Sequence, residues 1–299
     1  SYPRNQTLYM SKIKIRLRVY LLKKVINSFK FLLRSLNFNS SILISKNEAL
    51  LYEKGVALDL FHTNKYLKSS LNEINECYFM VKQLEKIGLK SIKNFFDAGA
   101  FCGEYTFYIA NKYPEANIIS LEGSLDNFKK LLNNYKFSNI TNNKIKFINK
   151  ILSNKEGVAK ITKGFNAENR VIHNSESKNT FNNKLDYEIN ETLTIEAICK
   201  SNNMINIDYL KIDLEGSEHL LEDDIIKLKP LFIQMEIAPS IIDLSNYLNM
   251  LKSLDKYYLF YTSEKGTVNT KRIENISQFY HKCIKNDQPK DIFLKLKSY

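Results

Sequence analysis

A chain of 299 residues with 44% hydrophobic and 12% aromatic content is long enough for one sizeable α/β domain and an appendage. Its net charge of +12 is unevenly placed: residues 1–47 hold ten Lys or Arg and no acid, which leaves +2 for residues 48–299. A body so nearly neutral argues against an enzyme that lines its active site with positive charge to hold nucleic acid.

Cys77, Cys102, Cys199 and Cys283 lie far apart and form no C-x-x-C pair. That spacing argues against a disulfide framework and a zinc site, and for a reducing, cytoplasmic setting. No apolar run approaches the length of a membrane span. The basic N-terminus lacks the unbroken apolar core of a signal peptide.

In chain order, residues 1–47 read as a basic amphipathic arm. Leu17, Leu21, Val25, Phe29, Leu32 and Leu36 fall at helical spacing, with Lys23, Lys24, Lys30 and Arg34 between them, which predicts a helix over 14–36. Its apolar stripe fits its own domain or a second copy of the chain in a homodimer. It also fits an anionic membrane face, which would place the protein peripherally on the inner leaflet. Nucleic acid is the third and least favoured partner. Residues 48–90 form a helical lead-in. There Ile74, Tyr78, Val81, Leu84 and Ile87 share one face of a helix over 72–87, closed by Gly88.

The remaining residues, 91–299, read as the main domain. Phe95 and Phe96 open a buried strand that breaks at Asp97-Ala98-Gly99 and passes into a helical pattern from Glu104. A strand that ends at an acid and glycines before a helix is how a Rossmann-like fold approaches a nucleoside cofactor. Gly99 permits a sharp turn, and Gly103 lets the helix start lie close to a ligand. The spacing is D-x-G-x-x-x-G, with no Lys-Ser/Thr after it. It therefore disfavours a dinucleotide or a nucleoside triphosphate. An acid beside the turn suits a cationic ligand group, such as the amino group of S-adenosylmethionine.

Strand and helix patterns then alternate. Residues 117–122 form a strand that ends in Glu122, and Ser124 caps a helix over 125–136. Residues 144–149 form a third strand, which turns at 155–157 into a return strand over 158–162. The polar stretch 164–191 reads as an insertion or lid. A helix over 195–200, a strand over 207–213, a helix from Ser217 to Lys227, a strand over 231–237 and a helix from Ser240 to Leu254 follow. Two last strands, 257–262 and 291–297, have no helix assigned between them. This succession predicts a parallel sheet covered on both faces, with an antiparallel addition at one edge.

Asp97, Glu122, Asp213 and Glu236 each end a strand, where open parallel sheets bind their ligands. Glu122 follows Asp97 by about 25 residues, one strand-helix-strand unit, and can accept hydrogen bonds from both hydroxyls of a ribose. Asp97, Gly99, Ala100, Gly103, Tyr105, Thr106, Glu122 and Gly123 are thus the candidate cofactor-binding residues. In Lys211-Ile-Asp-Leu-Glu-Gly-Ser-Glu218 the chain turns at Gly216, where Asp213 and Glu215 stand together. Asp213, Glu215 and Glu236 are the candidate catalytic residues, with a carboxylate placed to take a proton from an acceptor hydroxyl. No metal is required by this pattern; if a divalent ion binds, Asp213 and Glu236 are its expected ligands. Lys211 either pairs with an acid or only flanks the site. His219 reads as a helix-surface residue and His173 as a solvated residue of the insertion.

At these residues the chain resembles the FkbM family of S-adenosylmethionine-dependent methyltransferases. The matching stretches are residues 96–106, 121–124, 151–157 and 208–218, the last being close to the family's L-K-I-D-x-E-G-x-E signature. The resemblance spans about residues 90–240 and departs at Gly123, where the family usually has Pro. It implies an α/β, Rossmann-like class I methyltransferase fold, with a mainly parallel seven-stranded sheet, helices on both faces and an antiparallel edge. It also implies S-adenosyl-L-methionine as cofactor. Methyl transfer would usually be to oxygen, with sugars of surface polysaccharides or small metabolites as acceptors.

Two other functions compete. One is an RNA or protein methyltransferase that holds its substrate with the basic arm. The strand before Gly216 ends in Ile-Asp-Leu-Glu, however, and lacks the Asn/Asp-Pro-Pro-aromatic turn suited to amino groups. The other is a non-catalytic cofactor-binding subunit of a glycan assembly complex, against which the intact strand-end acids weigh.

Overall fold

The computed structural model describes residues 42–43, 57–58, 77–138, 140, 142–163, 169–172, 186–237, 244–263, 269–287 and 290–299. The chain divides into two compact units, Ser1–Ile42 and Leu43–Tyr299, and the main domain lies wholly in the second. Apart from residues 42–43, the expected arm over 1–47 with its helix lies outside the described residues, as do His173 and the expected cap at Ser240.

The sheet begins with β1 (Asn94–Ala98), whose Phe95 and Phe96 are fully buried. Successive side chains of a strand point to opposite faces. Phe95 accordingly joins one apolar layer and Phe96 the other. Next come α2 (Glu104–Lys112), β2 (Asn117–Leu121), α3 (Leu125–Phe137) and β3 (Ile145–Ile148). Helix α1, residues 77–86, precedes them. The buried residues Cys77, Met80, Val81 and Leu84 form its stripe, and Ile87 just beyond it is buried too. Tyr78, expected on that face, is instead 38% exposed, because the stripe runs through Cys77 and Met80.

After β3 the chain leaves the main sheet. The short β4 (Ile151–Leu152) pairs in parallel with β6 (Tyr187–Leu193), and β5 (Gly157–Thr162) pairs antiparallel with the same β6. These three strands make a separate sheet in the order β4-β6-β5. The return strand expected to pair with β3 therefore belongs to β6, and the last part of the expected insertion is that strand.

The chain re-enters the main sheet through α4 (Ile195–Ser201) and β7 (Tyr209–Ile212). A 3-10 turn at Glu218–Leu221 leads into α5 (Glu222–Leu228), and β8 (Phe232–Ile237) follows. The helix expected from Ser217 thus begins as a tighter turn, and Ser217 makes no side-chain cap. The rest is α6 (Leu244–Leu254), β9 (Tyr258–Ser263), β10 (Thr270–Arg272), α7 (Ile276–Asn286) and β11 (Lys290–Leu296). Helix α7 corrects the sequence reading, which assigns no helix there. Asn275 caps it through Gln278 N, and Ile276, Tyr280 and Cys283 are its buried stripe.

The main sheet runs β10-β9-β11-β8-β7-β1-β2-β3. Strands β3, β2, β1, β7 and β8 are mutually parallel, while β11 is antiparallel to both β8 and β9. The doubly wound, mainly parallel α/β architecture is thus as expected, with the three-residue β10 as a further edge strand. Residues of α1 and α2 cover one face, and residues of α4 to α7 cover the other. From β1 the chain steps outward to β2 and β3, then crosses to β7 and β8 on the other side. The switch point therefore lies between β1 and β7, and open sheets of this kind bind ligands in the crevice beyond it.

Candidate active site

Beyond the carboxyl ends of β1 and β7 lies a cavity of ≈ 290 Å³. The turn after β1 has little freedom. Gly99 has φ +79°, and a Cβ there would stand 1.8 Å from the carbonyl oxygen of Asp213. Gly103 has φ +99°, and its Cβ would meet the Phe107 ring at 2.4 Å. The amides of Gly99 and Ala100 both donate to Leu121 O, at 3.0 and 2.9 Å. The amide of Phe101 donates to Glu122 Oε2 at 2.9 Å. With these donors spent inside the protein, the turn offers no nest of amides to a phosphate.

Glu122 stands just past β2 and is 6% exposed. It accepts from Phe101 N and, at 2.9 Å, from Ser124 N. Burial raises its pKa to about 7, against the pull of those amides, Lys211 and Asn127. A carboxylate has about four lone-pair positions, so the two backbone amides and the Asn127 side chain leave room for a ligand hydroxyl. The loop behind it is held by Asn149, just after β3, and by two residues of β6. Asn149 Nδ2 donates to Glu122 O at 2.9 Å, Asn190 Nδ2 donates to Gly123 O at 2.9 Å, and Leu125 N donates to Glu188 Oε1 at 2.7 Å. Ile151, Ile161 and Val171 supply apolar wall beside Phe101.

A buried polar row crosses the sheet floor. Ser120, Asp97, Lys211 and Gln234 are successive register partners on β2, β1, β7 and β8, and all are buried. Thr106 Oγ1 donates to Asp97 Oδ2 at 2.6 Å and lies 2.7 Å from Ser120 Oγ. Gln234 Nε2 donates to Tyr105 Oη at 2.8 Å. Lys211 Nζ donates to Gly99 O at 2.9 Å and to Asp213 Oδ2 at 3.1 Å, and stands 3.8 Å from Asp97 Oδ1. Burial opposes the charge of Lys211, but Asp213 and Asp97 outweigh it, and its pKa lies above the ordinary lysine value.

Asp213 has a half-exposed side chain just past β7. Glu215 follows at φ +53°, a left-handed conformation that this tight turn imposes. Glu218 holds the turn from below: its Oε1 accepts from Leu214 N at 2.9 Å and Gly216 N at 3.3 Å.

Of the residues named from sequence, Gly99, Ala100, Tyr105, Glu122, Gly123, Asp213, Glu215 and Glu236 line the cavity. Asp97, Gly103 and Thr106 do not. Asp97, expected to face the ligand, is instead fully buried, and its contacts are Thr106 of α2 and Lys211. Lys211, Glu104, Gln234 and Asp291 also line the cavity. Lys211 pairs with an acid, Asp213, the first of the two alternatives its sequence position allowed, and the sequence assigns the other three no role there. Glu104 opens α2, is buried, and accepts from Cys102 Sγ at 2.8 Å. Among the described residues no group of three or more His, Cys, Asp or Glu is placed to hold a metal ion. Nor is any described helix long and apolar enough to cross a membrane.

A comparison with curated proteins found no match. Among solved structures, a precorrin-6y C5,15-methyltransferase from Geobacter metallireducens GS-15 is similar at 13% identity and TM-score 0.38, over 73% of this chain and 87% of that one. The plantazolicin methyltransferase BpumL, in complex with a monoazolic desmethylPZN analog and SAH, is similar at 10% identity and TM-score 0.39, over 78% and 89%. Human methyltransferase 10 domain containing protein is similar at 9% identity and TM-score 0.40, over 74% and 81%. Strand order and register, not these likenesses, define the fold. The family model described as "Methyltransferase FkbM domain" matches residues 97–258, which run from the acid of β1 to the start of β9. That match takes in more than half of the chain, and the protein belongs to the FkbM methyltransferase domain family.

Proposed function

We propose that this protein is an S-adenosylmethionine-dependent O-methyltransferase acting on a hydroxyl of a sugar, a glycan or another small metabolite. The cavity residues fit the cofactor. Glu122 has acceptor capacity for a ribose hydroxyl, the apolar wall of Ile151, Ile161 and Val171 suits a purine, and the acids beside β7 and β8 suit a cation. When bound, the cofactor supplies a methyl group on a positively charged sulfur.

The single observation that carries the reading is the placement of Asp213. Its carboxylate stands on the cavity wall at the switch point, reachable from solvent and anchored by Lys211 at 3.1 Å. It can take the proton of an acceptor hydroxyl as that oxygen gains a methyl group; general bases of this kind contribute roughly 10²- to 10⁴-fold. The charge of the wall supports an uncharged acceptor over RNA. Its described residues include six carboxylates and one lysine. The chain's excess of positive charge is instead in residues 1–47.

The test is incubation of the full chain with methyl-labelled S-adenosylmethionine and separate pools of sugars, glycans, small hydroxylated metabolites, RNA and protein. The reading predicts label in one of the first three pools as an alkali-stable ether. Label confined to RNA or protein, or no transfer to any pool, overturns it.

A further inference from the structure

We propose that Lys211 is the docking cation for the carboxylate at the amino-acid end of S-adenosylmethionine. The proposal rests on the cofactor reading above and adds a binding residue that the strand-end acids cannot replace. That end of the ligand carries an ammonium and a carboxylate. The ammonium has many partners to choose from, since Glu104, Glu122, Asp213, Glu215, Glu236 and Asp291 all line the cavity. Every one of them, when ionised, repels the carboxylate. Lys211 is the one basic side chain among the described wall residues.

Donor capacity points the same way. A lysine ammonium has three protons to donate. Gly99 O takes one at 2.9 Å and Asp213 Oδ2 takes a second at 3.1 Å. Asp97 Oδ1, at 3.8 Å, is beyond hydrogen-bond range, so one donor remains for a ligand. The amides of Gly99, Ala100 and Phe101 are already spent on Leu121 and Glu122 and cannot serve instead. The side chain is also held in advance: it is 7% exposed, rises from a strand with neighbours on both sides, and sits 5.2 Å over the Tyr105 ring. A preorganised, dry cation binds a carboxylate better than a mobile surface lysine does.

Titration calorimetry of the full chain and Lys211→Met tests this with four probes. S-adenosylmethionine and S-adenosylhomocysteine carry the carboxylate, decarboxylated S-adenosylmethionine keeps only the amine, and methylthioadenosine lacks both. Losing one charge-assisted bond should weaken the two carboxylate-bearing probes on the order of ten- to a hundredfold. The decarboxylated cofactor should bind no more weakly than it does to the parent, since removing a cation cannot harm an ammonium, and methylthioadenosine should stay within about twofold. Unchanged affinity for S-adenosylhomocysteine overturns the proposal. So does an equal loss for all four probes, which marks a purely structural lysine. If the variant does not fold, the parent decides. A preference for S-adenosylmethionine over its decarboxylated form of about tenfold or more supports the proposal, and no preference overturns it. A parent that binds none of the probes overturns the cofactor reading as well, so the two failures are distinct.

Discussion

Gly99 and Asp213 are in backbone contact across the switch point: the Cβ position of residue 99 lies 1.8 Å from the Asp213 carbonyl oxygen. The turn that approaches the cofactor and the turn that displays the proposed base are therefore one packed unit. Gly99→Ala should cost about 1–2 kcal/mol from its positive φ alone, with the displacement of Asp213 added. Urea denaturation of parent and variant checks this. A variant within about 0.5 kcal/mol of the parent, on the order of an ordinary surface change, would mean that the two turns are not so joined.

Glu122 makes cofactor binding depend on pH. Its pKa is raised to about 7, chiefly by burial. A ribose hydroxyl donates to the ionised form, so binding favours the carboxylate and lowers that pKa. Affinity for S-adenosylhomocysteine should rise from about pH 6 to about pH 8 and level off above, since the group titrates between them. In Glu122→Gln that rise should vanish, and in Glu122→Ala affinity should fall by roughly 1.5–3 kcal/mol. A parent affinity that falls across this range contradicts the assignment. The effect on folding has the opposite sign: a raised carboxylate pKa means that stability declines as pH rises from the unfolded value through about 7.

Asp213→Asn should separate binding from chemistry. The amide keeps the shape of the turn, and the side chain is half exposed, so cofactor affinity should stay within a few-fold of the parent. Turnover should fall by about 10²-fold or more if the carboxylate takes the proton. Single-turnover methyl transfer with the accepted pool measures this, and a near-parent rate excludes Asp213 as the base.

Glu218 supports the same turn from inside. Burial raises its pKa to about 7, and its Oε1 accepts from Leu214 N and Gly216 N. Glu218→Ala leaves two turn amides without that acceptor, which typically costs about 1–3 kcal/mol for each buried group. Thermal unfolding should show lower stability, and turnover should drop more than cofactor affinity, because the turn carries Asp213 and not Glu122. Equal losses in both would place Glu218 in the general core.

The parts legible in sequence are those set by local chemistry. An apolar pair followed by Asp97 and Gly99 reads as a strand meeting a tight turn, because few residues other than glycine tolerate that φ. Glu122 and Asp213 can be placed because each follows an apolar strand directly. Pairing of Lys211 with an acid can be named as an alternative, since Asp213 is two residues on; its place beside Asp97 cannot, because the β1–β7 pairing joins residues more than a hundred positions apart. The small sheet is hidden for the same reason: β5 pairs with β6, which comes only after a long polar stretch. Helix α7 is hard to see although Ile276, Tyr280 and Cys283 carry helical spacing, because that stripe is short and set among polar residues.

The most direct measurement is a structure of the full chain with S-adenosylhomocysteine bound. The account predicts the nucleoside in the crevice beyond β1 and β7, with a ribose hydroxyl within hydrogen-bond distance of Glu122 and the sulfur directed towards the Asp213 side of the cavity. A ligand bound in this crevice with its ribose away from Glu122, or bound elsewhere on the molecule, would contradict it.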